Sequence, residues 1–210
     1  MKYGARVIAA AALMIVGPAD AMAIEAAKYE VVKKDDKFEI RDYAAHIVAE
    51  TVVDGGVEDA GSVAFKRLFR YISGGNRSGD TVAMTAPVSQ TPKGEKIAMT
   101  APVGQRRAGE RWVVSFMMPG SYNLETLPEP EDPEVTLRQV PARRMAAIRY
   151  SGFWSEKGYT ENTAALTSWI DKMGLTIVGE PIWARYDPPF MPWFLRRNEI
   201  LVPVDDPSGG

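Results

Sequence analysis

From Tyr29 onward the chain alternates short apolar–polar runs with two longer stretches at helical spacing. Tyr29-Glu30-Val31-Val32 reads as a strand with Lys33 to Lys37 as its turn. Phe38-Glu39-Ile40-Arg41 alternates with period two, and Ala44 to Val53 continues as a longer strand. Gly55-Gly56 interrupts the pattern. Over Val57–Ile72 the period changes: Phe65, Leu68, Phe69 and Ile72 recur at helical spacing, with Lys66, Arg67 and Arg70 on the other side. Gly74-Gly75-Asn76 supplies a helix stop. Trp112 to Met118 predicts a further strand, closed by Pro119-Gly120. Ile182 to Tyr186 and Glu199 to Val204 predict the last two, and residues 205–210 are expected as a polar, flexible tail.

Two kinds of repetition run through this pattern. Val82-Ala83-Met84-Thr85-Ala86-Pro87-Val88 returns as Ile97-Ala98-Met99-Thr100-Ala101-Pro102-Val103, with a polar linker between. Two β-branched runs around such a linker predict strands folded back on one another, each ending, bulging or lying at an edge near its proline. The second repetition is longer. Phe38-Glu39-Ile40-Arg41 matches Val135-Thr136-Leu137-Arg138 at an offset of 97, and Val48-Ala49 matches Met145-Ala146 at the same offset. A second helix near Glu156 to Met173, stopped by Gly174, follows in the order set by the first half. An α+β domain built from two pseudo-symmetric strand–helix repeats, about 28–88 and 97–204, is the expectation.

Composition bounds the function. With 46% hydrophobic and 25% charged residues, the chain is ordinary for a globular protein with a real core. A net charge of −2 and no basic stripe argue against a nucleic-acid partner. Residues 1–23 read as a signal peptide: Lys2 and Arg6 precede the apolar run Val7 to Val16, and small-x-small sites permit cleavage after Ala21 or Ala23. The apolar run falls short of the roughly 20 residues that span a bilayer, so no stable membrane insertion is expected after cleavage. The mature domain, 24–204, is expected in the periplasm or outside the cell.

The chemistry-bearing residues are few. The chain has no cysteine, which removes covalent heme attachment and thiolate metal sites. Its one histidine, His46, shares a strand face with Glu50 and is expected at the surface. Gly74 to Gly79 follows a helix instead of preceding one, which does not suit a phosphate cradle. The acidic Leu127–Glu134 connector reads as a solvated loop. No catalytic residue or metal site stands out. Asp187 to Asn198 is the unusual stretch, a loop carrying Phe190, Met191, Trp193, Phe194 and Leu195 between prolines, followed by Arg196 and Arg197. Aromatic walls with cations at the rim suit a flat amphipathic ligand bearing carboxylates.

With its twin Met-Thr-Ala-Pro-Val segments, the chain resembles the SOUL/heme-binding protein family over roughly residues 28 to 204. The resemblance implies a distorted mixed β-barrel with two flanking helices. It also implies non-covalent, exchangeable heme or another tetrapyrrole in a shallow apolar site between the first helix and the last inter-strand loop. Carried over, that site comprises Val63, Lys66, Arg67 and Arg70 against Phe190, Met191, Trp193 and Phe194, with Arg196 and Arg197 at the rim. Some members place a histidine after the arginine of the second strand as an axial ligand. Here Asp42 follows Arg41, which leaves His46 as a weak candidate. The expected role is a non-catalytic carrier or buffer. A sensor or scaffold binding another amphipathic molecule or a protein through the 187–198 loop is the alternative, and a tetrapyrrole-modifying enzyme the third reading.

Overall fold

The computed structural model describes residues 24–77 and 94–205. The expected signal peptide, the first of the twin segments and the end of the tail lie outside the described residues. Strand β1 (Tyr29–Asp35) runs three residues past its expected end, and Asp36 makes the turn at φ 53° into β2 (Phe38–Tyr43). Then follow β3 (His46–Val53), α1 (Val57–Ile72), β4 (Asn76–Arg77), β5 (Val103–Ala108), β6 (Arg111–Met117) and β7 (Glu129–Pro130). The second half contributes β8 (Thr136–Val140), β9 (Arg143–Tyr150), α2 (Glu156–Lys172), β10 (Thr176–Ile177), β11 (Ile182–Arg185) and β12 (Asn198–Asp205). The second twin segment is not a strand over its length. Ala101 bridges Ala26 in parallel, and Pro102, which has no N–H for a ladder, delays pairing until Val103.

The main sheet runs β1-β2-β9-β12-β11-β5-β6-β3-β8, with β10 beside β12, and its ladders are antiparallel. In that order β2 stands second and β3 eighth, while β9 stands third and β8 ninth. Flat, each pair would be separated by six strand spacings, roughly 29 Å. Yet only Ala44-Ala45 joins β2 to β3, and only Pro141-Ala142 joins β8 to β9. Three Cα steps reach about 11 Å. The sheet must therefore curl until its ends approach, and the result is a half-barrel whose edges are β1 and β8. The two ladders at the seam share a register: Phe38 faces Ile148, and the residues 97 positions away, Val135 and Thr51, continue the register in which Thr136 faces Glu50.

Both helices pack on the convex face. α1 buries Ala60, Ala64, Leu68, Tyr71 and Ile72, and its two alanines let it lie close to β3 and β6. The expected stripe is rotated in part, since Phe65 and Phe69 are 38% and 46% exposed. Phe65 rests edge-on against Phe116 and stacks on Phe69, so the pair lies along the helix margin while the alanines take the core. α2 starts at Ser155, whose hydroxyl accepts the Gly158 N–H at 3.2 Å, and buries Leu166, Trp169 and Ile170 against β9 and β12. Trp169 stacks on Phe38 and donates its indole N–H to Asp35 at 2.8 Å, tying α2 to the β1–β2 turn.

The concave face carries a buried ion cluster. Glu199 is fully buried, and its carboxylate accepts from Arg41 at 2.7 and 3.1 Å, from Arg197 at 2.9 and 3.0 Å and from the Tyr186 hydroxyl at 3.0 Å. Arg41 also lies over the Tyr29 ring, and Arg197 over that of Tyr186. Burial alone would lower the Arg41 guanidinium; the Glu199 carboxylate reverses this and raises it. Replacing Glu199 by glutamine leaves the buried Arg41 with Glu39 alone, at 2.8 Å, and beside a second cation. Urea unfolding should show a loss of about 3–5 kcal/mol, and a loss below about 1 kcal/mol would mean that the cluster behaves as an exposed pair.

Candidate functional site

Strand β11 leaves the sheet at Arg185, and the chain returns at Asn198 to start β12. The loop between them is clamped at its base. Tyr186 N–H donates to the Arg197 carbonyl at 3.3 Å, and the Asp187 carboxylate accepts the Arg197 N–H at 2.5 Å. Three prolines restrict φ, and a single 3-10 turn forms over Trp193–Leu195. Arg196 closes the loop from within by donating to the carbonyls of Met191 and Pro189.

This bracing holds a group of apolar side chains in solvent. Phe190 is 86% exposed, and Trp193, Phe194 and Leu195 are all exposed. Phe153, from the turn before α2, joins them: its ring stacks on Trp193 at 5.4 Å, and Gly152 N–H donates to the Trp193 carbonyl. Trp154 beneath is held between Arg185 and Arg196, at 5.1 and 4.8 Å from its ring. Exposed apolar side chains on a braced loop mark a binding surface more than a core.

The expected site residues divide accordingly. Phe190, Met191, Trp193 and Phe194 fall within one loop, with Met191 half-buried. Arg196 is spent on that loop's carbonyls, and Arg197 turns to the opposite face of the sheet to bind Glu199. On α1, Arg67 donates to Thr51 at 2.8 Å and pairs with Asp132 of the acidic connector at 3.4 Å. Val63, Lys66 and Arg70 are exposed, and Lys66 and Arg70 have no ionic partner among the described residues. No hydrogen bond, ion pair or ring contact joins these four α1 residues to the loop. The helix approaches instead through Gly61, where an added Cβ would sit 3.1 Å from the Arg185 guanidinium. Phe153 and Trp154 went unnoticed in the sequence, although adjacent aromatics between a glycine and a helix cap are a legible signal.

His46 lies elsewhere. It is half-buried rather than on an open surface, because the curl brings its strand face into the concavity. Its Nδ1 is 3.0 Å from the Ala44 carbonyl, an arrangement that directs the proton to Nδ1. Burial lowers its pKa, the Ala44 contact opposes this, and Arg143 and Arg138 push it down further. Beside it a wider groove of about 640 Å³ runs along Met117 to Glu125. Its charges, Glu25 and Glu125 against Lys28, oppose a ligand bearing carboxylates.

The family model for the SOUL heme-binding protein matches residues 24–203. The chain belongs to the SOUL heme-binding protein family. Among curated relatives, Heme-binding protein 1 of Mus musculus is 25% identical over 152 residues, covering 72% of this chain and 75% of the relative. Heme-binding protein 1 of Sus scrofa is 22% identical over 184 residues, 85% and 92% of the two chains. Solved structures share the fold: the EcmrR C-terminal domain superposes with a TM-score of 0.51 at 13% identity, covering 85% of this chain and 98% of that one.

The chain's single histidine gives a clean reporter. His46 should titrate below the usual value of about 6.5 in a proton NMR titration of its ring. A depressed histidine favours the folded state only while neutral, so its contribution should fall away as pH drops below about 6.5. Arg143→Gln should move the midpoint upward.

Proposed function

We propose that this SOUL-family protein holds heme or a related tetrapyrrole, non-covalently and exchangeably, on the platform of Phe153, Phe190, Trp193 and Phe194. The observation that carries this reading is the bracing of the loop, which keeps its three aromatic side chains exposed, with Phe153 stacked on Trp193, instead of letting them collapse into the core. Each aromatic face offers stacking area to a flat macrocycle without reorganisation. Arg196 and Arg197 act as structural clamps, so the carboxylates of the ligand are met by cations still available on α1, Lys66 and Arg70. Val63 supplies the apolar flank that family resemblance assigns to that helix.

An open platform exchanges its ligand readily, which suits a carrier or buffer rather than an enzyme. With no cysteine in the chain, attachment through thioethers is excluded. The amino-terminal segment directs the protein to the periplasm or beyond the cell. His46, on the other face of the sheet, is not needed for this binding.

Hemin titrated into the protein should give a saturable one-to-one change in the Soret band. Trp193→Ala with Phe194→Ala should weaken it by about tenfold or more, the effect of losing roughly 1.4 kcal/mol or more of contact, while His46→Ala leaves it unchanged. Loss on His46→Ala alone would move the ligand to the histidine side of the sheet. No saturable change in the wild type would leave the loop as a docking surface for another partner.

A further inference from the structure

The curl that closes the half-barrel makes a second, smaller enclosure on the helix-free face. It has a volume of about 80 Å³ and draws its walls from β2, β3, β5, β6, β8, β9, β11 and β12. Small side chains at Gly104, Ser115 and Ala184 leave the space open. A drug-sized ligand occupies roughly 300–1,000 Å³, so no macrocycle fits here. Against the roughly 30 Å³ share of one liquid water, the space suits a group of a few heavy atoms.

Its charge is the unusual property. Arg106, Arg138 and Arg143 line it together, with Glu50 as the only carboxylate in the lining. Arg138 takes both oxygens of Glu50, at 3.0 and 2.9 Å, and Arg106 reaches the same carboxylate at only 3.9 Å. Arg143, half-buried, has neither a hydrogen-bond nor an ion-pair partner among the described residues. The remaining half-buried or buried arginines each have a partner: Arg41 and Arg197 share Glu199, Arg67 meets Asp132, Arg144 takes Asp42 bidentately at 2.8 and 2.9 Å, Arg185 donates to Gln105 and Arg196 to two loop carbonyls. A half-buried guanidinium beside two others, with the one nearby carboxylate already taken by Arg138, is costly unless something else neutralises it. Burial first, then Arg138 and Arg106, lowers the pKa of Arg143, although the guanidinium stays charged.

We propose that this concavity is an oxyanion site, in which Arg143, supported by Arg106 and the Ser115 hydroxyl, grips a carboxylate or phosphate group. The group is a compact anion or the anionic end of a longer molecule threading in from the seam. Arginine matches both shapes through paired N–H donors. Glu50 competes for the same cations and sets a modest affinity that permits release. His46, at the corresponding start of β3, senses occupancy: its proton sits on Nδ1 toward Ala44, and an anion nearby favours protonation of Nε2 as well. The site is separate from the aromatic platform and does not depend on the tetrapyrrole reading.

Calorimetric titration of the full protein with inorganic phosphate, sulfate and succinate, at fixed ionic strength with chloride as reference, tests this. One saturable site per chain is expected, weakened about tenfold or more in Arg143→Gln, the equivalent of one charged hydrogen bond, and tightened in Glu50→Gln. In the wild type the His46 NMR midpoint should move upward on adding the bound anion, a readout that needs no variant to fold. A preference for phosphate or for succinate identifies the source, and either supports the proposal. The absence of a saturable heat above chloride with all three anions would overturn it, as would equal affinity in the wild type and Arg143→Gln.

Discussion

Two links of two residues each determine the shape of this protein. Ala44-Ala45 and Pro141-Ala142 join strands that stand six places apart in the sheet, so the ladder cannot lie flat. Every later feature inherits that curl. The convex face becomes broad enough for two helices, and the concave face is closed enough to bury Glu199 completely. A carboxylate without water demands cations, and Arg41 from β2 and Arg197 from the end of the loop before β12 satisfy it from either side. Because Arg197 is also the last residue of the aromatic loop, the same ion cluster that occupies the interior fixes where that loop leaves and returns.

The two faces thereby acquire different chemistry from one strand pattern. Alternation sends Arg196 to the loop side and Arg197 to the interior, and it sends Thr51 to α1 and Glu50 to the concavity. On the loop side the outcome is apolar and exposed, the platform proposed for a flat ligand. On the inner side it is cationic and narrow, suited to an anion of a few atoms. A SOUL-family chain of this form carries two surfaces of opposite character, held apart by the thickness of a single sheet.

Much of the architecture was legible in the sequence, for reasons tied to particular residues. α1 was bounded correctly at Val57 and Ile72 because Gly55-Gly56 and Gly74-Gly75 bracket one helical period. The end of β1 was not, and β5 was not expected as a strand, since Lys33, Lys34, Arg106 and Arg107 lack the apolar alternation that betrays one: β1 is exposed from Glu30 to Asp35, and β5 turns Arg106 toward the concavity. Phe65 and Phe69 looked like core because periodicity marks a face but cannot tell its centre from its margin, and Ala60 and Ala64 took the centre. The candidate loop stood out by composition. The engagement of Arg196 with carbonyls, of Arg197 with Glu199, and the isolation of Arg143 depend on contacts across many strands, which no local pattern encodes.

A sheet that curls without closing keeps two free edges, and the edge strand β1 is exposed from Glu30 to Asp35. Its register shifts between Val31 and Lys33, and Glu30, Lys33, Lys34 and Asp35 project along it. A second copy approaching to extend the ladder would meet an interrupted row of backbone donors and a set of charges to desolvate. Val31 and Val32, exposed on that edge, would otherwise invite such growth. The register shift and the charges thus make this edge a poor template for a further strand, on the side where an incomplete barrel is left open.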